Sequence, residues 1–179
     1  MPGRRESTLG GRENEMKQID LTIPSGAIFS EDRRFRYLLW RIWKADPIMR
    51  LLIGLNPSTA NEFKNDPTIT RDIVRANRDG FGGIVRVNMY GYCSAYPEVL
   101  LGEGDFVGIE NDDYIRYGIS ITKQTVCGWG SFPAVFKRAP EVLKMIPEPY
   151  CLGVNADGQP KHPLYVSYEK PMIRYKKGS

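Results

Sequence analysis

Three apolar runs constrain this chain most: IMRLLIGLN (48–56), GGIVRVNMYGY (82–92) and QTVCGWG (124–130). Each reads as a buried strand, and helix signals stand between them. DPTITRDIVRANRDGFG has Asp66 as a cap, Pro67 in the first turn, apolar Ile69, Ile73 and Val74, and Gly80 at the exit. FVGIENDDYIRYGIS predicts a short helix, and SFPAVFKRAPEVLKMI predicts one that Pro140 is placed to interrupt. YCLGVNADGQPKHPLYVSY predicts a short strand, a turn and an extended exit. Strands alternating with helices predict an α/β domain, three layers deep (α/β/α), with a mainly parallel central sheet. Ahead of it, AIFSEDRRFRYLLWRIW predicts a β-hairpin around Glu31-Asp32-Arg33.

The 179 residues suit one domain, expected over 27–170. Residues 1–26, rich in Gly, Arg and Glu, are expected to be a largely disordered extension, and 171–179 a basic tail. The net charge of +4 permits an anionic partner without demanding one. Arg33-Arg34-Phe35-Arg36 and Arg174-Tyr175-Lys176-Lys177 each alternate cations with an aromatic. Such clusters track phosphates and stack on bases, or are solvated surface. The three cysteines lack any CxxC spacing, which argues against a disulfide framework, a structural zinc site or a four-cysteine cluster. No metal and no cofactor are expected. No apolar run approaches a membrane span and no signal-peptide pattern appears, so a cytoplasmic monomer without membrane contact is expected.

Ligands of open α/β sheets bind beyond the carboxyl ends of the strands. There this chain places Asn56, Ser58 and Thr59 after the first run, Asn88 after the second and Trp129 after the third. His162, the single histidine, follows the last short strand. Each has a plainer reading. The first three cap a helix, Asn88 closes its strand, Trp129 is core and His162 is a turn residue.

The ordered set GLNPS, IVRVN, TVCGWGSF and KHPLY resembles the uracil-DNA glycosylase superfamily over Leu51 to Tyr168. Asn56 stands where the main branch carries aspartate, and in this the chain is similar to the mismatch-specific uracil/thymine branch. The chain also resembles, over Ala27 to Tyr168, a bacterial and phage family described as a domain of unknown function. FSEDRRFRYLLWRIW, LNPSTA, DPTI and HPLYV carry that likeness.

The glycosylase resemblance implies a base-excising or base-recognising domain that acts on a pyrimidine, plain or modified, by N-glycosidic hydrolysis. Asn56 would position the attacking water, and His162 would donate to the departing base. Asn88 would read the pyrimidine edge, and Tyr90, Tyr92 or Phe63 would stack on the ring. Leu164 would wedge into the emptied stack. Arg33, Arg34, Arg36 and Lys161 would flank the pocket and contact nucleic acid, DNA before RNA. Ser58, Thr59 and Asp66 would line the pocket, hold phosphate or cap a helix, and Asp66 is an alternative base because an amide does not ionise. Two rivals remain: a non-catalytic nucleotide or nucleic-acid binding module, and an enzyme acting on a free modified nucleotide.

Overall fold

In the computed structural model the chain is described over residues 15–176. A hairpin, β1 (Ser25–Phe29) and β2 (Arg36–Ile42), comes first, with its turn at residues 31–34. It is followed by β3 (Met49–Gly54), α1 (Pro67–Arg78), β4 (Gly83–Asn88), α2 (Asn111–Ile121) and β5 (Gln124–Cys127). Then come α3 (Ala134–Met145), β6 (Pro149–Cys151) and β7 (Ile173–Arg174). Asp66 caps α1 as expected, its side chain accepting from Ile69 N–H at 2.9 Å, with Pro67 in the first turn. Helix α3 runs on through Pro140, which is exposed, so the missing N–H leaves no buried carbonyl stranded.

The seven strands form one sheet in the order β1-β2-β4-β3-β5-β6-β7. The centre is parallel: β4 with β3 (Asn88 opposite Gly54), β3 with β5, and β5 with β6. From β3 the chain crosses one way to β4, then reverses past β3 to reach β5 and β6. Right-handed crossovers therefore put α1 on one face and α2 and α3 on the other. The packing agrees. Ile69 and Ala76 of α1 pack with Leu52, Ile84 and Val126. Tyr114 and Ile115 of α2 and Val135 and Val142 of α3 pack with Leu51, Ile53, Val85 and Val87. The reversal makes a crevice at the carboxyl ends of β3, β4 and β5, where such sheets bind ligands.

The sheet is mixed rather than mainly parallel. The hairpin does not stand ahead of the sheet but extends it, β2 pairing antiparallel with β4 (Leu39 opposite Arg86). The reason is in its residues: Tyr37 to Trp40 are all buried, so β2 needs cover on both faces and a neighbour along each edge. Contacts with the core begin before residue 27. Met16 and Ile19 pack against the core, and Ile19 N–H donates to the Tyr117 hydroxyl at 3.0 Å. Residues 1–14 lie outside the described residues. The tail is likewise part of the domain as far as it is described: β7 pairs with β6, and Tyr175 is buried with its hydroxyl on Gly158 O.

Candidate functional site

Strand β4 alternates, so Ile84, Arg86 and Asn88 share the α1 face while Val85 and Val87 face the other helices. Opposite Asn88, strand β3 ends in Gly54. A methyl group there would lie 2.2 Å from Arg86 Nη2 and 2.8 Å from Asn88 Oδ1. The glycine leaves room for a guanidinium and an amide to lie over the strand. Gly128, after β5, makes room of another kind, since a methyl would lie 2.9 Å from the Pro163 ring. That close approach brings the His162-Pro163 segment down onto the strand ends.

Together these features enclose a cavity of about 680 Å³. Its walls include Asn56, Ser58, Asp66, Asn88, Lys161, His162 and Leu164, brought together from distant parts of the sequence. Arg36 and Arg86 line it too, as do Trp129, Phe132 and Tyr165. The volume suits one small organic ligand.

Asn88 is 1 % exposed, and neither its Nδ2 nor its Oδ1 has a hydrogen-bond partner among the described residues. It does not close its own strand. That work is done from α2 by Asn111, whose Nδ2 donates to Asn88 O (3.0 Å) and Met89 O (3.1 Å). An unmet buried amide is costly, and one at a cavity wall is placed for a ligand.

Asn56 does not cap α1; Asp66 does. Its Nδ2 donates to Pro57 O (3.0 Å) and Ser94 O (2.9 Å), tying the turn after β3 to the loop after β4. The donor being engaged, Oδ1 is the atom open to water or ligand. His162 Nδ1 accepts from Leu164 N–H at 3.2 Å, so the ring proton sits on Nε2. Burial, reinforced by the Arg86 charge, holds its pKa down to about 4 against a pull from Asp66. His162 is thus a neutral donor near pH 7.

Arg86 Nη1 donates to buried Asp72, while its Nη2 has no partner among the described residues. Burial pushes the Asp72 carboxyl up to about 6, against the opposing pull of Arg86. Among the described residues, no group of three or more His, Cys, Asp or Glu side chains comes close enough to hold a metal ion. No helix among them is long and apolar enough to cross a membrane.

Other expected positions fall elsewhere. Tyr90 is buried with its hydroxyl on Ala134 O, so it cannot stack on a ligand. Phe63 is 91 % exposed and Tyr92 packs edge-on against Phe35 and Phe106; neither lines the cavity. The aromatic rings at the walls are Trp129, Phe132 and Tyr165. Trp129 is pinned by its Nε1–H to Gln159, which leaves Phe132 and the 84 % exposed Tyr165 free to cover a ligand. Thr59 is outside the cavity, and Leu164 lines it. Arg33 pairs with Glu62 at 2.8 Å and Arg34 lies over Tyr92. Arg36 is not a surface contact at all, being 2 % exposed inside the cavity wall.

Residues 36–164 match the family described as Protein of unknown function (DUF1643), and the chain belongs to that family. No curated protein and no solved structure matches it.

Proposed function

We propose that this DUF1643 member binds a pyrimidine base in the cavity at its strand ends and hydrolyses the N-glycosidic bond, in the manner of a uracil-DNA glycosylase. The observation that carries this reading is Asn88: a buried amide with donor and acceptor both unengaged, at the wall of a cavity sized for one small ligand. A side-chain amide matches an edge that offers one N–H and one carbonyl. Water held on Asn56 Oδ1 adds to the anomeric carbon. The bond to the ring nitrogen breaks and its electron pair leaves with the base. His162 Nε2–H donates to the carbonyl oxygen on which that charge gathers. The proton released from the water ends on the departed base. Phe132 and Tyr165 cover the ring.

The test is incubation with oligonucleotides and free nucleotides carrying uracil, mismatched thymine or hypermodified pyrimidines. Release of base, read as abasic-site cleavage or as free base, is the expected result. Asn88→Asp keeps the shape but removes the donor. It is expected to fold and to lose a uracil-type substrate by about 10⁴. Full activity in the folded variant refutes the base-reading role.

A further inference from the structure

Arg36 is the least satisfied cation of the site. Its Nη1 donates to Ala60 O at 2.7 Å, and its buried Nε has no partner among the described residues. No carboxylate pairs with it among the described residues. Arg41, on the same strand but outside the cavity, is by contrast fully engaged: it reaches Asn65 Oδ1 and the carbonyls of Gly26, Trp40, Asn61 and Lys64. Arg36 instead uses one N–H of its five and lines the cavity.

Arg86 lines the same wall with its second edge open, and Lys161 adds a third cation. The one carboxylate among the lining residues is Asp66, with one oxygen turned to the Ile69 N–H at the helix cap. Desolvating a guanidinium without a counter-charge is strongly unfavourable. Burial, reinforced by the nearby Arg86 charge, lowers the Arg36 pKa to about 10.

We infer that Arg36 and Arg86 form an anion subsite inside the cavity, which takes the phosphate monoester of a mononucleotide. The inference rests on the base-binding reading of the same cavity and names its substrate: a free nucleotide that carries its phosphate into the pocket. A backbone diester crossing the mouth would leave the Arg36 guanidinium in the wall uncompensated, since of the two only Arg86 has a carboxylate, Asp72, beside it. Forked guanidinium donors suit phosphate oxygens, and charge-assisted bonds of this kind are the strong ones.

The test is calorimetric titration of the full chain with deoxyuridine, deoxyuridine monophosphate, deoxyribose 5-phosphate and an oligonucleotide holding one internal deoxyuridine. The monophosphate is expected to bind about tenfold or more tighter than the nucleoside and tighter than the oligonucleotide. Arg36→Met should bring the ratio of nucleotide to nucleoside affinity close to one. Its melting temperature should not fall, because it removes an uncompensated buried charge. Arg36→Lys should keep part of the ratio. Equal affinity for nucleoside and nucleotide in the native chain overturns the subsite, as does a ratio that survives Arg36→Met. A gain seen with the oligonucleotide alone overturns the monoester assignment. If deoxyribose 5-phosphate binds as well as the nucleotide with the same dependence on Arg36, the subsite stands and the base-reading role falls. If the nucleoside binds and the phosphate adds nothing, the reverse holds.

Discussion

Asn88 and Asn111 are both buried asparagines at one strand end, with opposite duties. Asn111 turns its donor onto two backbone carbonyls and holds the strand; Asn88 holds nothing. His162 offers a cleaner measurement, because it is the single histidine of the chain. Its ring is expected to titrate near pH 4, not near the ordinary 6.5, in a one-dimensional proton spectrum. The sign follows from the lowered value. The folded chain holds fewer protons at this site than the unfolded chain, so its contribution to stability is complete above pH 6.5 and is lost as pH falls towards 4. Ligand binding should be flat from pH 8 to about 5 as far as this group decides it. A midpoint near 6.5 would mean that the ring is solvated and its Nδ1 free.

Elements carry the site as well as their residues. Strand β3 contributes an absence, the missing side chain of Gly54. Gly54→Ala puts a methyl against Arg86 and Asn88 together. It should cost about 1–3 kcal/mol in denaturant melts and abolish ligand binding at temperatures where the variant is still folded. Helix α1 depends on its cap, and Asp66→Ala should cost about 0.5–2 kcal/mol. That helix was legible beforehand because Asp66, Pro67 and the apolar spacing agree. Asn56, Asn88 and His162 were legible as strand-end residues. Arg86 was equally accessible, as a cation two residues before Asn88 in a buried strand and hence on its face. The placing of β2 was not legible, since a hairpin's sequence does not say which distant edge it joins. Tyr90 and Phe63 went astray because an aromatic near a strand end faces core, cavity or solvent according to a register that sequence spacing leaves open.

At the scale of the molecule, three cations line the cavity, buried Arg36 and Arg86 and exposed Lys161, while Arg33 is paired with Glu62. Binding of a single-stranded oligonucleotide should therefore depend weakly on salt, with a log–log slope of about −1 to −2 across a potassium chloride series. A slope several times steeper would point to an extended phosphate-tracking surface. The three arginines of α1, Arg71, Arg75 and Arg78, stand at successive turns of one helix face and hold the segment that follows His162. They donate to the carbonyls of Pro163, Val166, Ser167 and Tyr168. These hydrogen bonds are all to main chain, and the one side chain of the segment that the arginines also cover is the ring of Tyr168. Leu164 and Tyr165 can thus be exchanged without loosening their mount. A lineage can retune what its pocket accepts while the scaffold around it stays fixed, and a library randomised at these two positions should keep its melting temperature while its ligand preferences scatter.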